Sequence, residues 1–303
     1  MMKTTMKAVI LIITLVSAKA IHVSRTSRNW FETEEDPVEL LVFNFQDEKS
    51  PVTSSLIHSK NDAILFDAQF GLNHANTVVS YLRDANIKPG LVIITSGDPD
   101  YYFGLQTVLE AFPFVDIVAS PRVVNWINQT KDQKLATWGP ELVPYAPTEL
   151  YVPNTIDRDT YYLDNRKEIQ LMEINSPEAY VWIPENKVIL GGNAIYWEVH
   201  VWVVNSRTPE TRAYWRQVLR QMLALEPRVV IPGHWIGERP IFGDEPIRFT
   251  LQYLEIFEEA LERNNYRNST AVIAYMKERY PNLALEDFLE LSAKVLTGEP
   301  AVF

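Results

Sequence analysis

Hydrophobic and polar positions alternate with a period that changes along the chain. From Val38, apolar side chains come in short strand-like runs, Val38–Phe45, Ser54–His58 and Ala63–Phe66, separated by polar turns. Residues 73–84 switch to helical spacing, with Ala75, Val78, Val79 and Leu82 on one face. Leu91–Ile94 is apolar at every position, as expected of a strand covered on both faces. Helical spacing returns over Phe103–Phe112 and Val123–Leu135, with a strand at Val115–Ala119 between them. The second half repeats this style without repeating its residues. Strands are predicted at Tyr161–Leu163, Ile169–Ile174, Ala179–Ile183, Lys187–Leu190 and Arg228–Ile231. A long helix spans Pro209–Leu225, with Pro209 suited to its first turn. Three helices close the chain, Pro246–Arg263, Thr270–Arg279 and Leu285–Leu296, whereas residues 21–37 are polar and predict a loose arm. Strands from both halves with helices outside them predict a sheet sandwich flanked by helices.

Composition adds a compartment and removes several chemistries. The 303 residues, 47% hydrophobic, suffice for one large core or two modest ones. Lys3 and Lys7 precede an apolar run, Ala8–Ser17, and then Ala18-Lys19-Ala20, the layout of an export signal cleaved after Ala20. The run is too short to span a bilayer. The expectation is a secreted or periplasmic protein, free of the membrane after cleavage. Residues 21–303 then form a single domain, with the helices from about 245 packed on it. Residues 1–20 hold three lysines and no acid, so the net charge of −11 becomes −14 for the remainder. That charge disfavours nucleic acid and anionic membrane as partners and leaves a small molecule or a protein. The absence of cysteine excludes disulfides, thiolate zinc sites and cysteine nucleophiles. Sequons stand at Asn128 and Asn268.

Candidate chemistry concentrates after the buried strand, in the acidic loop Thr95-Ser96-Gly97-Asp98-Pro99-Asp100-Tyr101. The C-terminal end of a strand next to a helix start is the usual ligand position of mixed α/β folds. Four further segments keep order with this loop: Ile64-Leu65-Phe66-Asp67-Ala68, Ile174-Asn175-Ser176-Pro177, Ile189-Leu190-Gly191-Gly192-Asn193-Ala194 and Val229-Val230-Ile231-Pro232-Gly233-His234. Together the five resemble the metallo-β-lactamase superfamily over almost all of the chain after residue 20. The resemblance implies an α/β fold, a four-layer αββα sandwich, and the two-zinc centre of a hydrolase. It sets Ser96, Asp98 and Asn175 against the three imidazoles of one zinc. Asp100, Tyr101, Asn193 and His234 stand against the ligands of the other. Only Asp100 and His234 match the family in residue type.

These replacements are poor for zinc. Zinc favours nitrogen and sulfur and needs about three firm protein ligands beside an open position. Serine and asparagine are neutral, weak donors, and a tyrosine would have to ionise far below its usual pKa of about 10. Two main expectations follow. One is a catalytically impaired or inactive homologue whose cleft binds a ligand, with Ser96, Tyr101, Asn175 and His200 in the pocket. The other is a hydrolase of ester, amide or lactone bonds with a rebuilt site. There Asp98, Asp100, Asn193 and His234 would hold zinc or a hard divalent ion (Mg²⁺, Mn²⁺ or Ca²⁺), with Asp100 as the catalytic group. A third is a secreted partner-binding protein that uses its acidic surface. Each residue also has a plainer role. Asp100 could cap the helix starting near Tyr102, His234 could be a hydrogen-bonded histidine in a turn, and His200 a packed aromatic edge. Of the aromatic residues Trp182, Tyr196, Trp197 and Trp202, core and pocket wall are expected.

Overall fold

Alternation along the strands decides the layering of this molecule. The computed structural model describes residues 22–26, 38–47, 49–156, 158–164, 167–240, 242–263 and 267–301. The expected export signal and its cleavage point lie outside these residues. In the first half the elements are β1 (His22–Thr26), β2 (Glu39–Asn44), β3 (Thr53–His58), β4 (Ala63–Phe66), α1 (Leu72–Asp84), β5 (Leu91–Ile94), α2 (Pro99–Tyr102), α3 (Leu105–Ala111), β6 (Asp116–Ala119), α4 (Pro121–Leu142) and β7 (Asn154–Thr155). Their strands form a seven-stranded sheet in sequence order, antiparallel from β1 to β4 and parallel from β4 to β7.

The second half supplies β8 (Thr160–Leu163), β9 (Lys167–Met172), β10 (Tyr180–Ile183), β11 (Val188–Leu190), β12 (Tyr196–Trp197), α5 (Pro209–Ala224), β13 (Val229–Ile231), β14 (His234–Trp235), α6 (Glu245–Glu258), α7 (Ser269–Arg279) and α8 (Glu286–Thr297). Five of these strands make a second sheet in the order β13-β11-β10-β9-β8, and β12 pairs with β14 in a short parallel ribbon.

Successive side chains of a strand point to opposite faces. In β2, Leu40 and Val42 enter one cluster, Leu41 and Phe43 another. In β10, Val181 and Ile183 join the cluster of Leu40 and Val42, while Tyr180 and Trp182 face away from it. That shared cluster, which also holds Phe66, Ile93, Leu190 and Ile231, is the interior between the two sheets. The outer face of the first sheet packs on Val78, Val79 and Leu82 of α1 and on Leu105, Val123 and Ile127. The outer face of the second packs on Trp215 and Leu219 of α5 and on α6, α7 and α8. Helix, sheet, sheet, helix is the four-layer αββα arrangement.

Three local departures from the expected elements have physical causes. Residues 22–26, expected within a loose arm, form β1 against β2, with His22 opposite Asn44. A sheet edge offers unpaired backbone groups that a polar segment can join without an apolar face. The helix expected over Phe103–Phe112 is shortened to α3, Leu105–Ala111, and preceded by the separate turn α2, because the chain turns at Phe103-Gly104 against the end of β4. A Cβ on Gly104 would sit 1.8 Å from the Ala68 carbonyl oxygen. Finally, α4 starts earlier and runs further than Val123–Leu135. Ser120 caps it through the Val123 amide at 3.2 Å, Pro121 occupies its first turn, and it continues to Leu142.

Candidate functional site

The site is built where β5, β11 and β13 end. At the end of β5 the Asp67 carboxylate receives the Thr95 amide and the Thr95 hydroxyl, both at 2.8 Å. Asp67 itself adopts a left-handed backbone (φ 62°), which aspartate tolerates better than most residues. Burial pushes its carboxyl up to about 7, against the opposing effect of the two Thr95 bonds. These contacts fix the exit of the loop toward α2. Asp98 is the N-cap residue of α2 but makes no side-chain cap bond, and Pro99 sets the first turn. Asp100 therefore lies inside the helix instead of capping it, as a cap near Tyr102 would have required. The second wall comes from the turn after β13. A Cβ on Gly233 would sit 1.9 Å from the Gly192 carbonyl oxygen and 2.8 Å from the Tyr101 hydroxyl. Only glycine lets the two turns approach so closely, and the approach seats His234 beside Tyr196 in β12.

Two polar clusters result. In the first, Asp98 is the hub. Its Oδ1 accepts from the Lys134 ammonium at 3.0 Å, and its Oδ2 accepts from the amides of Asn193 at 3.0 Å and Asn205 at 2.8 Å. Lys134 also donates to the Gly97 carbonyl at 2.7 Å and lies 5.2 Å from the centre of the Trp126 ring. Asn193 is fixed from its other side by the Tyr196 hydroxyl at 2.7 Å. In the second cluster, His234 Nε2 lies 3.0 Å from the Tyr101 hydroxyl and 3.4 Å from Asp100 Oδ2. Ser50 donates to the same carboxyl oxygen at 3.4 Å. Tyr196 stacks on the imidazole with ring centres 4.9 Å apart.

Distance alone would make His234 and Asp100 an ion pair, but burial opposes charge on both. It pushes the imidazole down to about 3, against the attraction of Asp98, and the carboxyl up to about 8, with the nearby Asp98 charge adding to the rise. Burial thus favours the uncharged form of both groups and works against an ion pair between them. Burial likewise drives the Tyr101 phenol well above its ordinary value.

Both clusters border one cavity of about 470 Å³. Asp98, Asp100, Asn193 and His234 all line it. Tyr101 lies fully buried behind His234. Ser96 is buried, accepts from the Asp98 amide at 3.2 Å, and borders a separate small cavity of about 20 Å³. Asn175 is exposed and lines neither cavity, so it is not brought to the cluster. His200 is also elsewhere: it is buried in the outer core of the second sheet, its Nδ1 3.0 Å from the Tyr253 hydroxyl. Tyr196 and Trp202 line the cavity, whereas Trp182 is core and Trp197 bonds the Glu238 carbonyl at 3.0 Å.

Several lining residues were not anticipated from the sequence: Ser50, Phe70, Lys134, Trp138, Asn205 and Phe288. Part of the signal was present. Trp126, Thr130, Lys134 and Trp138 follow one another at four-residue spacing, which stacks them on one face of α4, and all four line the cavity.

The model of the metallo-beta-lactamase superfamily matches residues 48–234, more than half of the chain. The chain belongs to the metallo-β-lactamase superfamily. Among solved structures it is similar to the metallo-beta-lactamase from Pontibacter korlensis, with 13% identity, 77% of this chain and 99% of that chain covered, and a TM-score of 0.51. It is also similar to VMB-1, with 13% identity, 79% and 98% covered, and a TM-score of 0.53. Likeness at this identity concerns the fold alone. No curated protein matches the sequence.

Membership of the metallo-β-lactamase superfamily raises the question of zinc, and the donors present do not fit it. Among the described residues, no group of three or more His, Cys, Asp or Glu side chains could hold a metal ion. Asp98, the nearest candidate, already has one oxygen on an ammonium and the other on two amides. The Asn193 oxygen is engaged by Tyr196, and His234 Nε2 by Tyr101. A zinc ion here would meet a fixed positive charge and neutral oxygen donors instead of the imidazoles or thiolates it prefers.

Proposed function

We propose that the protein is an exported, catalytically impaired member of the superfamily whose cleft binds a small molecule instead of hydrolysing one. The observation that carries this reading is the Lys134 ammonium 3.0 Å from Asp98. In a metal-dependent hydrolase, the ion neutralises loop carboxylates, polarises the scissile carbonyl and lowers the pKa of its water from ~15.7 to ~7. Lys134 performs the first of these tasks and cannot perform the last, because an ammonium has no vacant orbital for water. The Asp100–His234 contact points the same way, since His234 Nε2 is engaged by the Tyr101 hydroxyl at 3.0 Å and Asp100 Oδ2 by Ser50. The size and aromatic lining of the cavity support binding.

The test is turnover of an ester, amide and lactone panel by the full-length mature protein, with Zn²⁺ or Mn²⁺ added and then chelated. The expected result is no chelator-sensitive hydrolysis. Hydrolysis that disappears on chelation and in Asp100→Ala would replace this reading with a rebuilt metallo-hydrolase.

A further inference from the structure

We propose that the cleft takes an uncharged, flat aromatic molecule. This rests on the binding reading above and names the ligand class. The walls set the first requirement. Phe70, Trp138, Trp202 and Phe288 form an arc with successive ring centres 6.3, 6.3 and 5.1 Å apart and interplanar angles of 71°, 65° and 69°. Phe288 then meets the His234 ring at 6.0 Å. All of these rings line the cavity, and each is partly or wholly buried. Aromatic rings gain most from one another when offset or edge to face, so a lining already arranged this way suits one more flat ring.

Charge sets the second requirement. The lining carries both signs, Lys49, Lys134 and Arg207 beside Asp98 and Asp100. An anion would meet two carboxyl groups, and a cation would meet three basic side chains. Each of these groups is also engaged within the protein. Lys134 bonds Asp98 at 3.0 Å, and Asp98 takes the amides of Asn193 and Asn205 on its other oxygen. Lys49 pairs with Glu141 at 2.9 Å, and Arg207 Nε donates to the Val204 carbonyl at 3.3 Å. Asp100 Oδ2 accepts from Ser50 and lies 3.4 Å from His234 Nε2. A charged guest would shed its hydration among groups already committed to one another, and a charge buried without a partner of its own is costly. An uncharged guest escapes that cost.

Neutral polar groups complete the lining. Gln133 and Thr137 of α4 and Thr211 of α5 border the same cavity. Amides and hydroxyls both donate and accept, so they match a hydroxyl or carbonyl carried by the ring.

The experiment is calorimetry of the full-length mature protein with 2-naphthol, its saturated analogue decahydro-2-naphthol, anionic 2-naphthoate and cationic 2-naphthylmethylammonium. Naphthol is expected to bind about tenfold more tightly than either charged probe. It should bind roughly three- to tenfold more tightly than its saturated analogue, the scale of one or two aromatic pairs. Trp138→Leu should weaken naphthol by removing a wall, and Thr137→Trp by filling the cavity from α4. A charged probe binding as tightly as naphthol would overturn the uncharged requirement. Equal affinity for naphthol and its saturated analogue would overturn the aromatic requirement. Binding untouched by both variants would put the probe elsewhere and overturn the site. No binding of naphthol at millimolar concentration overturns the ligand class. Chelator-sensitive hydrolysis, by contrast, is the separate outcome that removes the underlying reading.

Discussion

Replacing Lys134 with methionine keeps a long apolar stem against Trp126 and deletes the ammonium that neutralises Asp98. The two charges are 3.0 Å apart, and their side chains are only 15% and 16% exposed. At an effective dielectric of about 20, charges at that distance attract by roughly 5 kcal/mol. Returning the lysine to water in the unfolded chain offsets part of this, so the net cost of breaking such a pair is about 3 kcal/mol. The bond to Gly97 is lost as well, at about 1 kcal/mol. Asp98→Asn should cost a comparable amount, because it strands the ammonium. In the double variant Lys134→Met/Asp98→Asn neither charge is stranded. The double mutant should therefore be more stable than the sum of the singles predicts, by about 2 kcal/mol. Urea unfolding of the four proteins at pH 7 and low salt reads this coupling. Additivity to within about 0.5 kcal/mol would refute the claim that Lys134 and Asp98 form one neutralised unit.

Other consequences follow from the same contacts. Gly233→Ala forces a Cβ to within 1.9 Å of the Gly192 carbonyl; a loss of more than about 3 kcal/mol, or no soluble protein, is expected by thermal melting and expression yield. Buried His200 has its pKa lowered from 6.5 to about 4 by desolvation. A histidine held neutral in the fold gives stability that is present above pH 6.5 and lost as pH falls through 4. The loss approaches roughly 3 kcal/mol, so His200→Phe should flatten the difference in stability between pH 7 and pH 4. Arg212, 3% exposed in its side chain, bonds both oxygens of Glu258 at 2.7 and 3.2 Å and the Arg207 carbonyl at 3.0 Å. Arg212→Met should cost about 3–5 kcal/mol in urea unfolding by leaving Glu258 and that carbonyl short of a donor.

What the sequence revealed depended on how local its cause was. Alternation in Leu40–Phe43 and Tyr180–Ile183, and helical spacing in residues 73–84, are written in neighbouring residues, so the layers could be read directly. The spine of the site, from Asp67 through Asp98 to Gly233-His234, was readable because each residue ends a strand in a recognisable order. The residues that the resemblance sets at ligand positions, Ser96, Tyr101, Asn175 and Asn193, were equally visible. The partners that surround Asp98 were not. Lys134 reaches Asp98 across 36 residues and Asn205 across 107, and nothing local announces either partner. The helix expected to stop at Leu135 continues to Leu142, which is what carries Trp138 to the cavity. Asn175 and His200 showed the converse failure. Position in a motif suggested the pocket, while an exposed turn took one and an aromatic core took the other.

An internal ammonium and two amides occupy both oxygens of Asp98, the candidate ligand nearest to a metal position. Zinc content after purification from zinc-supplemented medium tests this most directly, with occupancy counted by mass spectrometry against protein concentration. The prediction is well below one zinc per chain, unchanged in His234→Ala. One or two zinc ions per chain, resisting dialysis and falling in His234→Ala, would contradict it.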